Sequence, residues 1–222
     1  VPRHYAIAAK VPMLEPSDSK EALEFTKKAF ELSEEYDTPV IIKMCTRVAH
    51  SQSVVELSER VVPELKPYEK NMQKYIMMPA MAKKRHPFVE ERTKKLTELA
   101  ETSDLNREEW GTGEIGIITS STSYQYVKEV FGDEASVLKI GMINPLPVER
   151  IKNFASKVKK LYIVEELDGV IESHVKNLGL EVEGKEMFSN IGEFSQSIVA
   201  EAFGKEVPAF DSIETAVPMR PP

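Results

Sequence analysis

Two short stretches carry side chains capable of chemistry. Thr46-Arg47-Val48-Ala49-His50-Ser51 directly follows an apolar run. Arg47 could clasp a carboxylate or phosphate in a two-pronged contact, and His50 could move a proton near neutral pH. The competing reading is that both residues brace a junction between domains. Glu165-Glu166 closes a second apolar run. Adjacent residues on extended chain point to opposite sides, so the two carboxylates do not form an acid–base pair; one of them is expected to bond the backbone of a neighbouring loop or a partner chain. Arg47, His50 and Glu165 are therefore the candidate crevice or domain-junction residues, and no residue is assigned a catalytic role.

Other signals weaken when placed on the chain. Gly111-Thr112-Gly113-Glu114-Ile115-Gly116 matches the dinucleotide fingerprint letter for letter. The fingerprint works only after a strand and at the start of a helix, where pyrophosphate meets helix N–H groups. Here the glycines precede the strand, so no nicotinamide or flavin nucleotide is expected. The turn that does open a helix, Ser120 to Ser123, reads as a cap with small residues for close packing in preference to a phosphate cradle. The single cysteine, Cys45, lies in an apolar run and reads as a buried small hydrophobe. It excludes an internal disulfide and any cysteine-based zinc or iron–sulfur site within the chain. His86 and His174 lack companions at ligand spacing, and no metal site is expected.

The elements that must position these residues are clearest from Glu114 to Gly179. Ile115–Thr119, Val137–Ile140 and Leu161–Val164 are short apolar runs separated by helical patterns. Tyr124, Val127, Val130 and Phe131 mark one helix, closed by Gly132. Pro147 starts another through Val148, Ile151, Phe154 and Val158, and Val170, Ile171, Val175 and Leu178 mark a third, stopped at Gly179. This alternation predicts a mainly parallel sheet in a three-layer α/β sandwich over residues 111–204. Leu180 and Val182 could add an edge strand, and Ile191–Phe203 reads as a final helix ended by Gly204.

Upstream, residues 1–16 show no period and read as loop. Asp18 and Glu21 resemble a capping box for a helix through Ala22, Phe25, Ala29, Leu32 and Tyr36, broken by Asp37-Thr38-Pro39. Val40–Met44 then reads as an interior parallel strand. One helix and one strand make an incomplete piece, so residues 1–50 are expected to be the end of an α/β domain. Residues 51–110, rich in charge and interrupted by Pro63, Pro67, Pro79 and Pro87, read as an inter-domain connection with a helix from Pro87 to Ala100. Residues 205–222 read as a further linker. The chain starts at Val1 without Met and stops at Met219-Arg220-Pro221-Pro222, the pattern expected of a fragment.

Composition narrows the function class. The 222 residues are 41% hydrophobic, without a run long enough to span a bilayer. A net charge of −7 argues against a nucleic-acid groove, since phosphate contacts need clustered cations. The basic run Lys83-Lys84-Arg85-His86 is followed at once by Glu90-Glu91 and reads as a solvated helical face. No signal peptide is visible, so a cytoplasmic location is expected.

Several stretches resemble a known family. Arg3-His4-Tyr5, Pro12-Met13-Leu14-Glu15-Pro16-Ser17-Asp18, Ala29-Phe30-Glu31-Leu32-Ser33, Asp37-Thr38-Pro39-Val40 and Thr46–Ser51 resemble the alpha subunit of indolepyruvate ferredoxin oxidoreductases. Ile143-Asn144-Pro145-Leu146-Pro147 and Tyr162-Ile163-Val164-Glu165-Glu166-Leu167 resemble the transketolase C-terminal-like domain that the family places next. The resemblance implies a thiamine-diphosphate enzyme that oxidatively decarboxylates arylpyruvates, passing the acyl group to coenzyme A and electrons through [4Fe-4S] clusters to ferredoxin. It implies a beta subunit as partner. By the same resemblance, 1–50 would end the pyrimidine-binding domain, 111–204 would be the transketolase C-terminal-like domain, and 205–222 would lead to a diphosphate-binding domain. The family's Gly-Asp-Gly motif for diphosphate and Mg2+ is missing here, as are its cluster cysteines. The chain alone is thus expected to bind none of these cofactors, to be inactive, and to serve domain organisation. Two alternatives stand beside this: part of another thiamine enzyme (a pyruvate oxidoreductase, a transketolase or an E1 beta chain), or a non-catalytic α/β interaction module.

Overall fold

The computed structural model describes residues 2–65 and 67–207. The N-terminal stretch expected as loop is instead a helix, α1 (Pro2–Ala9), followed by a short buried strand, β1 (Met13–Leu14). Pro2 occupies the first helical position, where its missing N–H costs nothing, and three alanines sustain the helix. The apolar period was hidden because the buried face of α1 is Arg3 and Ala6, one of them a cation.

Helix α2 (Ser19–Tyr36) buries Phe25, Ala29 and Leu32, as the period predicts. Asp18 caps it by accepting from the Glu21 N–H at 2.8 Å. The capping box is only half formed, because the Glu21 carboxylate turns to Ser17 and inward instead. The next strand, β2 (Ile41–Ile42), is shorter than expected and lies at an edge, half-buried, and not in a sheet interior. Next comes α3 (Thr46–His50). Residues 51–65 and 67–71 contain no helix or strand.

After the single turn α4 (Met72–Tyr75), α5 runs from Pro79 to Thr102, eight residues before the expected start at Pro87, which lies inside it. Both Pro87 and Lys83, whose carbonyl loses its donor, are exposed, so water can satisfy the freed group. Leu96 and Ala100 of α5 pack on Phe25, Ala29 and Leu32 of α2.

The remaining elements are β3 (Arg107–Glu109), β4 (Ile115–Ser120), α6 (Ser123–Phe131), β5 (Ser136–Ile140), β6 (Met142–Asn144), α7 (Val148–Ala155), β7 (Lys160–Val164), α8 (Val170–Asn177) and α9 (Gln196–Ala202). The last begins five residues after the expected Ile191, because Ser195 caps it by accepting from the Ile198 N–H. Strands β5, β4 and β7 are parallel and adjacent, with β3 antiparallel on the outer side of β5. Beyond β7, Glu183 exchanges backbone hydrogen bonds with Leu161 and Ile163, so the expected edge segment is present as a bridge.

Alternation along the strands builds three layers. Ile118, Leu138, Ile140 and Ile163 face Ile151 and Phe154 of α7 and Ile171 and Val175 of α8. Ile117, Val137, Tyr162 and Val164 face Tyr124, Val127 and Phe131 of α6 and Val199 of α9. Burial on both faces explains why these strands read as continuous apolar runs.

A second sheet, ordered β2-β1-β6, joins the first fifty residues to a strand that directly follows β5. Strand β1 is parallel to β2 and antiparallel to β6. Only Gly141 separates β5 in one sheet from β6 in the other. A Cβ there would stand 2.1 Å from the Leu105 carbonyl oxygen and 2.7 Å from the Phe25 ring, so no other residue fits this joint. The Gly116 of the dinucleotide-like run is also a packing glycine, its missing Cβ replaced by Val158.

Candidate functional site

In the parallel sheet, β4 leads through α6 to β5 on one side, and the chain then returns through α7 to β7 on the other. The strand order therefore reverses between β4 and β7, and a crevice opens beyond their carboxyl ends. In this protein the crevice is filled from within. Arg3 from α1 enters it, bonding Glu15 through Nε and Nη2 at 2.7 Å each, Glu165 through Nη1 at 2.6 Å, and Ser120 Oγ through Nη2 at 2.8 Å. Ser120 ends β4, Glu165 follows β7, and Glu15 follows β1. Lys43 adds a second cation 3.4 Å from Glu15. Arg3, Glu15 and Glu165 are respectively 6%, 0% and 1% exposed, so the cluster is sealed from solvent.

Each carboxylate has its own environment. Glu165 sits at the N-terminus of α8 and accepts from the Ile171 and Glu172 N–H groups at 3.0 and 2.9 Å. These satisfy two donors the helix leaves free, and the helix dipole favours the charge. Burial nonetheless dominates and holds the Glu165 carboxyl above the usual carboxylate range, despite Arg3 and the two N–H groups. For Glu15 burial acts in the same direction but is overcome by Arg3, Lys43 and Ser120, and its carboxyl is held below the ordinary range. Burial opposes the charge of Arg3, yet the two carboxylates raise its guanidinium above the ordinary arginine value.

A second buried ionic group lies across the same joint. Lys139, fully buried in β5, pairs with Glu21 of α2 and stands 4.8 Å from the Phe25 ring centre. Glu21 also accepts from Arg107 Nη1 at 2.7 Å and from the Ser17 N–H and hydroxyl. Burial drives the Lys139 ammonium below its ordinary value, partly offset by Glu21, and Lys139 holds Glu21 below the ordinary carboxylate range against its own burial. On the other side, Glu101 of α5 accepts from the Glu149 and Arg150 N–H groups that open α7.

The three sequence candidates are not brought together. Glu165 belongs to the sealed crevice. Arg47 lies outside it, bonded to Glu193 at 3.0 Å and stacked 5.3 Å from the Tyr126 ring, with 44% of its side chain exposed and 66% of its partner's. His50 is exposed in the last turn of α3. Cys45 is partly buried, its Sγ 3.8 Å from Thr122 Oγ1. Glu166 accepts from the Phe194 N–H at 2.8 Å, so the neighbouring glutamates bond different loops. Arg3, Glu15, Ser120, Glu21 and Lys139 were missed by the sequence reading. Lys139 gave a signal, a cation inside an apolar strand, which must find a buried partner.

The residues present do not fit the cofactors that the resemblance implies. One cysteine cannot hold a [4Fe-4S] cluster. The crevice carboxylates are already neutralised by Arg3 and Lys43, leaving no open oxygen set for Mg2+. Among the described residues, no three His, Cys, Asp or Glu side chains group as metal ligands. No helix among them is long and apolar enough to cross a membrane.

The fold is a three-layer α/β sandwich whose switch-point crevice is closed by Arg3 of α1. It is similar to that of a 2-oxoglutarate:ferredoxin oxidoreductase from Magnetococcus marinus, solved with 2-oxoglutarate, coenzyme A and succinyl-CoA bound, with a TM-score of 0.58 and 15% identity over 87% of this chain and 41% of that one. In sequence the chain is similar to the indolepyruvate oxidoreductase subunit IorA. The identity is 38% over 191 residues for Archaeoglobus fulgidus, covering 82% of this chain and 30% of the relative. It is 38% over 214 residues for Methanothermobacter marburgensis (90% and 35%) and 33% over 253 for Pyrococcus horikoshii (99% and 38%). The resemblance to the alpha-subunit family is therefore shown over most of the chain, which spans about a third of the length of these relatives. No family model matches it.

Proposed function

We propose that this chain is the organising part of a 2-oxoacid:ferredoxin oxidoreductase subunit, of the type that oxidatively decarboxylates indolepyruvate and other arylpyruvates to acyl-CoA while reducing ferredoxin. The observation that carries the reading is the sealed crevice: the place where an open α/β sheet takes a ligand is occupied by Arg3, Glu15 and Glu165. Such a sheet is spent on fixing its neighbour and not on chemistry. On this reading thiamine diphosphate, Mg2+ and [4Fe-4S] clusters belong to other parts of a cytoplasmic enzyme, and a beta subunit, coenzyme A and ferredoxin are its partners. Residues 1–50 belong to a pyrimidine-binding domain, 51–110 to a connection, 111–204 to a transketolase C-terminal-like domain and 205–222 to a linker. Of that linker, residues 208–222 lie outside the described residues. Arg47 and His50 serve the junction.

Two measurements test the reading. The polypeptide that contains this chain, combined with its companion subunit, is assayed for arylpyruvate- and coenzyme A-dependent reduction of ferredoxin; no reduction overturns the assigned reaction. The 222-residue chain is titrated calorimetrically with thiamine diphosphate and Mg2+. A flat trace is expected, and saturable one-to-one binding in the micromolar range would put the cofactor site within these residues.

A further inference from the structure

Residues 54–78 hold eleven of the twenty large apolar side chains that stand exposed among the described residues. In the part without helix or strand, Val54, Leu57, Val61, Val62, Leu65 and Tyr68 are each at least 73% exposed. This arm is nonetheless laid along one side of the body. Ser51 meets Ser19 at 3.4 Å, Ser58 accepts from Lys27 at 2.6 Å, and Lys74 pairs with Asp37 at 2.7 Å. It therefore runs beside α2 from the start of that helix to its end. Phe30, also exposed, stands one turn beyond Lys27 on the same side of α2. A monomeric protein rarely presents water with a continuous apolar patch of more than a few hundred Å2.

We propose that the arm is a homodimer contact, in which the arms of two copies of this chain lie antiparallel across a two-fold axis near Pro63. The inference concerns association alone and does not depend on the reaction proposed above. Charge points to a second copy as the cover. In sequence, Glu56, Glu59 and Glu64 outnumber Arg60 in the first half of the arm, while Lys66, Lys70 and Lys74 outnumber Glu69 in the second. A surface whose two halves carry opposite charge is complementary to itself when turned end to end, the condition for an isologous contact. With the axis at Pro63, Glu56 of one copy faces Lys70 of the other, and Val61 faces Leu65. Apolar side chains then meet at the centre and charges at the rim, the arrangement of specific interfaces. The six apolar side chains offer about 600 Å2. Phe30 and the flanking polar groups bring each copy towards the roughly 800 Å2 that a standard contact needs.

The test is the mass of the 222-residue chain in sedimentation velocity at micromolar concentration, where twice the mass of one copy is expected. Glu56→Lys should weaken pairing about 10- to 100-fold, because two symmetry-related attractions become repulsions, and Lys70→Glu should do the same. An equimolar mixture of these two variants should pair again, since each end then meets its opposite; a merely adhesive surface gives no such recovery. Leu65→Asp, at an exposed position that the fold does not need, should weaken pairing about 30-fold or more. A monomeric chain, a mixture that stays monomeric, or a dimer indifferent to Leu65→Asp would each overturn the proposal. So would a longer polypeptide containing this chain, alone or with a companion subunit, whose self-association ignores Leu65→Asp; the arm would then be covered by the rest of that polypeptide or by the companion.

Discussion

Two of the ionic contacts that tie the first fifty residues to the α/β unit differ in almost everything but charge. Arg3–Glu165 is sealed, made at 2.6 Å, and shared with Glu15 and Ser120. Arg47–Glu193 is open to water on both sides and has a single carboxylate oxygen as acceptor. In water the Coulomb term is screened and largely offset by ordering two long side chains, so the outer pair contributes a few tenths to about 1 kcal/mol. In the sealed cluster the charges have lost their hydration and are compensated by one another, by the Ser120 hydroxyl and by the two N–H groups at the start of α8. Removing one member exposes that debt in full. Position relative to solvent, and not the type of contact, sets the weight of each.

The largest effect should therefore follow Arg3→Met, which leaves Glu15 with Lys43 and the Ser120 hydroxyl and Glu165 with backbone donors. A loss of about 3–5 kcal/mol is expected, or about 6–20 °C in Tm for a chain of this size, measured by thermal denaturation. A normally stable variant would mean the crevice admits water.

Next, Lys139→Met alone should cost about 3 kcal/mol by leaving Glu21 with Arg107 as its remaining cation. The double variant Lys139→Met with Glu21→Leu should recover most of that loss, because an apolar pair avoids the desolvation altogether. A double-mutant cycle by chemical denaturation reads the coupling; strict additivity would show that the two residues do not act as a pair.

Glu15→Gln should cost about 1.5–3 kcal/mol at pH 7, the range for hydrogen bonds to charged groups. Its pH dependence is the sharper test. The Glu15 carboxyl is depressed in the folded state, so its contribution is present above its unfolded value of about 4.5 and disappears as pH falls through the folded value. The variant should lose that part of the acid slope. Glu165 is shifted upward, and its contribution has the opposite sign: present below the unfolded value and lost as pH rises through the folded one. Glu165→Gln should remove this fall. Denaturation midpoints between pH 3 and pH 8 distinguish the two, and equal slopes in both variants would reject the asymmetry.

The smallest effects belong to the outer contact. Arg47→Ala should lower stability by about 0.2–1 kcal/mol, with a contribution from stacking on Tyr126, and His50→Ala by less than about 0.5 kcal/mol. If the chain belongs to the enzyme proposed above, turnover of the assembled enzyme should stay nearly unchanged in both. A large activity loss at normal stability would place them against substrate or cofactor instead of at the junction.

The sequence made the α/β unit legible where local signals agree. The runs at Ile115, Val137 and Leu161, the stops at Gly132 and Gly179, and Pro147 before α7 each match the structure. It failed where tertiary contacts overrule local pattern. Helix α1 hides a buried arginine on its inner face, β1 and β2 are two residues each, and α5 passes through Pro87 because that side faces water. Of the crevice, only Glu165 could be singled out, from its place after a strand. Its partner Arg3 stands 162 positions away, and no spacing rule reaches that far.

The single-residue joint at Gly141 bears on how the molecule breathes. One continuous stretch, Ser136–Asn144, pairs with β3 and β4 in one sheet and with β1 in the other. Glu15 N–H also bonds the Gly141 carbonyl, while Asn106 holds the Gly141 and Met142 N–H groups. Neither sheet can release this stretch without fraying the other. Amide protons on both sides of Gly141 should then exchange with solvent at one common rate, as members of a single foldon spanning the two sheets.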